Sequence, residues 1–179
     1  MLTQDFFSLF GLPERYALDR PTLDAYYREL QRNTHPDRYA SASEQEKRIA
    51  MQQTAHINEG YDVLRNPLKR ARYLLERRGV HMDDQQTTQA DPDFLMQQME
   101  LRERLAKVRA QADPLASLDA LARDIDRQYR AIEQELAGVL DGTAGDDAAA
   151  LALVQKMQFF TRLQQEVQAL EADLEDELL

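Results

Sequence analysis

The tripeptide His35-Pro36-Asp37 is the segment whose side chains come nearest to an arrangement that could do chemistry. An imidazole and a carboxylate two residues apart could form an acid–base pair, but no nucleophile is placed beside them, and the chain has no cysteine. A metal site needs more ligands than these two residues, and the other histidines, His56 and His81, have no chelating spacing between them. We therefore expect neither catalysis nor a bound metal at this tripeptide.

Three arginines accompany the tripeptide. Arg28 and Arg32 stand four residues apart on the preceding predicted helix and share an exposed ridge, and Arg38 follows directly. Proline and aspartate are common turn residues, so the segment could be a plain exposed turn. A proline-stiffened loop that presents an imidazole and a carboxylate between guanidinium groups also suits docking on an acidic protein surface. The residues alone leave both interpretations open.

Helix signals flank the tripeptide on both sides. The sequence predicts a short helix over 3–10, a second helix from Asp19 to about Asn33, a third after a capping box that begins at Ser41 or Ser43, and a fourth at Asn66-Pro67. The second and third helices are the long ones, and a short loop joins them, which is typical of an αα-hairpin. Their apolar stripes at helical spacing are Leu23, Tyr26, Tyr27 and Leu30, then Ile49, Gln53, Ile57, Tyr61 and Leu64.

The second half of the chain has a different organisation. Residues 77–91 are polar and carry no helical stripe, which indicates a linker. Helix starts follow at Pro92 and Pro114, the first of these helices reaching about residue 111, and the turn-rich stretch 141–147 precedes the last helix. Three long amphipathic helices with short connections indicate an antiparallel three-helix bundle. The predicted fold is therefore all-α, with a helical-hairpin domain over 1–76, a linker over 77–91 and a three-helix bundle over 92–179.

The charges are unevenly distributed. Residues 1–78 hold 13 basic and 11 acidic side chains, a net of +2, whereas residues 79–179 hold 9 and 21, a net of −12. Phosphate binding needs a concentrated basic surface, so nucleic acid is not expected as a partner. No apolar run approaches the ~20 residues that cross a bilayer, and the N-terminus lacks the basic segment of a secretory signal. We expect a soluble, cytoplasmic protein.

The fifth helix has two apolar sides. At 100° per residue, with Leu101 at 0°, the stripe expected to face the core contains Phe94, Leu105 and Val108, while Leu95, Met96 and Met99 fall at about 120°, 220° and 160°. Glu100 and Glu103 border this second side. It could pack under the linker or the N-terminal domain. Otherwise, an exposed apolar patch with an acidic rim marks a partner surface, where methionine suits adaptable contacts.

Together these features resemble a J domain, the regulatory module of DnaJ-type co-chaperones, whose hallmark is His-Pro-Asp between its two main helices. The segments "DFFSLFGLP", "LQRNTHPDR", "NPLKRARYLL" and "DFLMQQMELRERL" are similar specifically to the HscB family of iron–sulfur cluster assembly, and the likeness covers essentially the whole chain. It implies that His35, Pro36 and Asp37 stimulate ATP hydrolysis by an HscA-like chaperone of the DnaK family. Arg28, Arg32 and Arg38 are then expected to help in docking. It implies no catalysis by this chain and no cofactor.

For the bundle, the resemblance implies binding of an IscU-like iron–sulfur scaffold protein. Lys107 stands where the family often carries an acid, which bears on the electrostatics of this contact. Asp24 and Glu29 dilute the basic helix of general J domains, which favours a dedicated chaperone. The open alternatives are a J-domain protein with a different client, a structural helical protein and an enzyme. The expected scaffold-binding residues are Leu95, Met96, Met99, Glu100, Glu103 and Phe159, whereas Phe160 is expected in the core.

Overall fold

The computed structural model describes residues 2–82, 91–143 and 145–178. These residues form seven α-helices and two short 3-10 helices and contain no strand, which confirms the predicted all-α class. Backbone contacts divide the chain into one unit, Met1–Val80, and a second, His81–Leu179. The helices are α1 (Phe6–Leu9), α2 (Arg20–Thr34), α3 (Glu44–Arg65), α4 (Pro67–Arg77), α5 (Pro92–Ala106), α6 (Pro114–Asp141) and α7 (Asp147–Asp176), with 3-10 helices at Pro36–Tyr39 and Val108–Ala110.

Local side-chain caps decide where the helices of the first unit begin. α1 is shorter than the predicted 3–10 because the Asp5 carboxylate, not Thr3, caps it by accepting from the backbone N–H of Ser8 at 3.0 Å. Of the two possible capping boxes before α3, the structure uses Ser43 with Glu46. The Ser43 hydroxyl accepts from the Glu46 N–H at 3.2 Å, and the Glu46 carboxylate accepts from the Ser43 N–H at 2.9 Å. Each contact satisfies a donor that the first turn of a helix leaves open.

The core of the first unit forms where α2, α3 and α4 meet the short α1. α3 passes so close to α1 that a Cβ at Gly60 would lie 2.8 Å from Cδ1 of Phe6. The predicted stripes are partly wrong, because Tyr26 and Ile49 are exposed and the small Ala50 is buried in place of Ile49. The largest buried apolar side chains are Phe7, Phe10, Tyr16, Leu23, Ile57, Leu64, Leu74 and Leu75.

The second unit is built on the long pair α6 and α7, with α5 packed against both. α6 and α7 run antiparallel, and the side-chain amide of Gln164 on α7 donates to Asp126 on α6 at 2.9 Å. α5 ends at Ala106 rather than near residue 111, and a 3-10 turn follows it. The predicted linker falls mainly on 83–90, which lie outside the described residues. The core side chains include Leu101, Val108, Leu118, Leu121, Ile125, Ile132, Leu136, Met157, Phe160, Leu163 and Val167.

Candidate functional site

The His35-Pro36-Asp37 loop begins where α2 ends. Thr34 is the last residue of α2, and His35 has an extended backbone (φ −57°, ψ 134°), as expected for a residue that precedes proline. Pro36 then opens the 3-10 helix, which ends at Tyr39. All three residues of the tripeptide are exposed. Because Pro36 disfavours helical geometry at His35, α2 ends there, and the tripeptide lies exposed at the end of the α2–α3 hairpin.

The His35 side chain caps its own turn. Its Nδ1 accepts a hydrogen bond from the backbone N–H of Asp37 at 3.3 Å, and lies 3.6 Å from Oδ2 of the Asp37 carboxylate. Because Nδ1 is the acceptor, the neutral ring carries its proton on Nε2. The loop thus presents one N–H donor and one carboxylate to solvent. This pair suits polar contacts with another protein.

The three predicted arginines lie around one surface hollow beside the loop. Arg28, Arg32 and Arg38 line this hollow of about 1130 Å³ together with His35 and Pro36. Arg28 donates through Nε to the backbone carbonyl oxygen of Asp24, one turn earlier in α2, at 3.2 Å. Within the described ranges, Arg32 and Arg38 have no ion-pair partner. The hollow therefore presents guanidinium charge to solvent.

Asp24 does not line this hollow. Its Oδ1 accepts from Nε of Arg20 at 2.8 Å and from the Tyr61 hydroxyl of α3 at 2.9 Å. The hydrogen bond from Arg20 is the main reason that the pKa of the Asp24 carboxyl is lowered from its usual value. The Asp24 charge is paired with Arg20 at the surface, so it dilutes the basic face of α2 less than the sequence suggests. Glu29 remains exposed.

A pair of stacked tyrosines fixes α2 to α3 below the loop. The rings of Tyr27 and Tyr61 are 3.8 Å apart and nearly parallel, at 5°. The Tyr27 hydroxyl donates to Asn58 and accepts from Gln31, both at 2.7 Å. Sequence reasoning placed both tyrosines on apolar stripes but did not pair them. This clamp holds the two helices whose ends position the loop.

A second hollow, of about 510 Å³, lies on the α3 side of the loop, and sequence reasoning missed it. Its lining includes Pro36 and Tyr39 from the loop and the exposed Met51 from α3. In the sequence, this hollow is indicated by Met51, an apolar residue that lies off the predicted stripe of α3. An apolar surface thus adjoins the charged one at the same loop.

The bundle presents the predicted apolar face on α5. Residues Leu95, Met96 and Met99 are 46%, 61% and 71% exposed, whereas Leu101 is 3% exposed. The helical projection that separated the two sides of α5 is confirmed. We call Leu95, Met96 and Met99 the α5 patch. Within the second unit, no described residue covers it.

The acidic rim of the α5 patch is partly neutralised. Glu100 and Glu103 are both exposed. Nζ of Lys107, one turn after Glu103, lies 2.5 Å from its carboxylate. This hydrogen bond lowers the pKa of the Glu103 carboxyl from its usual value. Lys107, which stands where the family often carries an acid, therefore pairs with Glu103 and reduces the negative charge of the rim.

Phe159, an expected scaffold-binding residue, is nearly buried in the structure. Only 8% of the residue is exposed. Its ring meets Phe94 edge-on, with ring centres 5.6 Å apart, and the Arg102 guanidinium carbon lies 5.4 Å from the ring centre on α7. Phe160 is fully buried, as expected. Phe159 thus lies at the boundary between the core of the bundle and its surface near α5.

The comparisons with known proteins decide the family. Residues 90–168 match the family model described as the HSCB C-terminal oligomerisation domain. A co-chaperone protein HscB homolog of Cupriavidus taiwanensis is 43% identical, covering 98% of each chain. The chain belongs to the HscB family. It is therefore a J-domain co-chaperone of the type that serves iron–sulfur cluster assembly, as the sequence resemblance implied.

Solved structures agree with this assignment. Chaperone HscB from Vibrio cholerae is 40% identical and superposes with a TM-score of 0.83, covering 98% of this chain and 100% of that one. Human co-chaperone protein HscB is 25% identical, with a TM-score of 0.84 over 93% of this chain and 82% of that one. Among the described residues of this HscB-family chain, no helix is long and apolar enough to span a membrane.

Proposed function

We propose that this protein is an adaptor between two partners. The His35-Pro36-Asp37 loop stimulates the ATPase of an HscA-like chaperone of the DnaK family, and the bundle delivers an IscU-like scaffold to that chaperone. The observation that carries the proposal is the presence of two exposed surfaces of different chemistry in two separate units. One is the arginine-lined hollow at the loop, and the other is the α5 patch.

The chemistry of the loop supports a protein partner with an acidic surface. Guanidinium groups bind carboxylates through paired hydrogen bonds, and opposite charges speed the encounter of two proteins. Arg28 and Arg32 on the helix and Arg38 after the loop therefore guide docking. The Asp37 carboxylate and the Nε2–H of His35 then make the directional contacts that signal hydrolysis.

The chemistry of the α5 patch supports a partner with an apolar surface. Exposed leucine and methionine side chains gain free energy when a partner buries them, and methionine adapts to an irregular counterpart. Glu100 and Glu103 at the rim favour basic groups on the scaffold. Phe159 is proposed as a further contact at the edge of this surface.

Carrying both surfaces on one chain has a physical advantage. A scaffold bound to the bundle is tethered to the chaperone that the loop engages, so its effective concentration there rises without any new contact. The adaptor needs no catalysis and no cofactor of its own for this role. We propose that it acts in the cytoplasm.

The decisive experiment measures steady-state ATP hydrolysis by an HscA-like chaperone with this protein and an IscU-like scaffold, together and separately. We expect stimulation by the protein alone and a larger stimulation with the scaffold present. Stimulation without any scaffold effect would favour a J-domain protein with a different client, which a pull-down on the bundle would identify. An unchanged ATPase rate would contradict the proposal, and turnover without any chaperone would indicate an enzyme.

A further inference from the structure

Arg102 lies between the α5 patch and Phe159. On a helix, residues at i, i+4 and i+7 share one side, so Leu95, Met99 and Arg102 form a single row along α5. The Arg102 side chain extends from this row to α7, where Nη1 lies 3.2 Å from Oε2 of Glu166. The arginine therefore closes the α7 edge of the patch.

The guanidinium of Arg102 lies over an aromatic ring. Its central carbon is 5.4 Å from the ring centre of Phe159, while the edge contact with Phe94 closes another side of the same ring. Phe159 keeps only 8% of its surface exposed, next to a patch whose residues are about half exposed or more. An apolar partner that settles on Leu95 and Met99 thus reaches Arg102 before it reaches Phe159.

We propose, on the basis of the proposed scaffold binding, that Arg102 is a removable cover on Phe159. Docking of the scaffold displaces the guanidinium from Glu166 and from the ring. An apolar side chain of the scaffold takes its place against Phe159, so the docking surface is larger in the complex than in the free protein.

The contacts that hold the cover in place are weak ones. Arg102 and Glu166 are both about half exposed, at 50% and 46% of their side chains, and ion pairs this exposed contribute little to stability. A cation over an aromatic ring at an exposed site is similarly weak. Opening the cover therefore reduces scaffold affinity by a small factor, about three- to tenfold.

The test compares scaffold binding by the wild type, R102A, F159A and the double variant, with association and dissociation rates measured on immobilised IscU-like scaffold. We expect R102A to bind about three- to tenfold more tightly, mainly through faster association, because no cover has to move. F159A should bind more weakly. The double variant should bind like F159A, because the cover has no effect once the ring is gone. Thermal melting followed by circular dichroism checks the fold of each variant.

Arg104 provides the matched control. It lies on the same helix and pairs with Asp124 at 2.6 Å, on the α6 side of α5. R104A should leave scaffold binding unchanged. Tighter binding by R102A that persists without Phe159, or weaker or unchanged binding by R102A, overturns the cover while leaving the adaptor function in place. Failure of the wild type to bind the scaffold overturns the adaptor function, and the cover with it.

Discussion

The imidazole Nδ1 of His35 accepts a hydrogen bond from the backbone N–H of Asp37 across 3.3 Å. The first residue of the tripeptide thereby fixes the backbone of the third. Pro36, between them, sets the turn by its ring. The two nitrogens of His35 differ in this arrangement, because Nδ1 shapes the loop, whereas Nε2–H is the group that we propose contacts the chaperone. A substitution that keeps the turn but removes this donor tests the proposed contact by itself.

We expect His35→Gln to abolish stimulation of the chaperone ATPase while melting temperature and scaffold binding stay as in the wild type, because His35 is exposed. His35→Asn is the matched variant. Its side-chain oxygen can accept from the Asp37 N–H, as in an Asx turn, but its short amide does not place an N–H where Nε2–H of the imidazole lies. It should therefore also fail to stimulate. A His35→Gln protein that melts several degrees lower and loses scaffold binding would show that the histidine is structural.

Local signals were enough to predict most of the helices. Asn66 before Pro67 and Asp113 before Pro114 act within a few residues of chain, so each helix starts where the sequence indicates. The same is true of the loop, since proline restricts the residue before it. The placement of the α5 patch opposite the buried Leu101 also follows from the helical period alone.

Tertiary contacts account for what the sequence did not predict. Asp24 was read as a charge on an open helix face, but its partner Tyr61 lies 37 residues away on α3. Phe159 is expected at the scaffold-binding surface, but it packs against Phe94 and Arg102 of α5 and against Phe160, and is nearly buried. The hydrophobic periodicity of a single helix gives no information about such contacts between helices.

The Asp24 interaction predicts a pH-dependent contribution to stability. The pKa of the folded-state carboxyl is lowered, chiefly by the hydrogen bond from Arg20, so the charged form is favoured by folding. This contribution is fully present above the unfolded pKa of about 4 and is lost as pH falls through the folded pKa. Asp24→Asn should reduce the free energy of unfolding by up to about 1 kcal/mol at pH 7, measured by urea denaturation.

The difference between wild type and Asp24→Asn should shrink as the pH is lowered to about 3. Glu29→Gln removes the same charge from the exposed side of α2, where the structure gives Glu29 no partner among the described residues. That variant should leave stability nearly unchanged at both pH values. An Asp24→Asn effect that is as large in acid as at neutral pH would exclude the ion pair as its cause.

Gly60 and Gly138 predict opposite effects of the same substitution. Both lie inside helices, but a Cβ at Gly60 would meet Phe6 at 2.8 Å, whereas a Cβ at Gly138 would meet nothing within 4 Å. Gly60→Ala should destabilise the first unit by about 1–3 kcal/mol, because α1 must shift away from α3. Gly138→Ala should stabilise the bundle by about 0.5–1 kcal/mol, through helix propensity. Chemical denaturation of each variant measures both, and equal effects would contradict the close packing of α1.

The α5 patch predicts a loss of binding without a loss of stability. Replacing Leu95, Met96 and Met99 with alanine should weaken scaffold binding by several kcal/mol in isothermal titration, since buried hot-spot side chains often contribute about 1 kcal/mol or more each. Helicity and melting temperature should change little, because alanine favours the helix and these side chains are exposed. Stimulation of the chaperone ATPase without scaffold should remain, while the additional stimulation by scaffold should disappear.

The control for this triple variant is Leu101→Ala, on the opposite side of the same helix. Leu101 is 3% exposed, so its truncation leaves a cavity and should lower the free energy of unfolding by about 2–5 kcal/mol. Leu105→Ala, at a half-buried position, should have a smaller effect. The two sides of α5 then separate binding from folding. If the triple variant unfolds the bundle, or binds scaffold as tightly as the wild type, the α5 patch is not the scaffold surface.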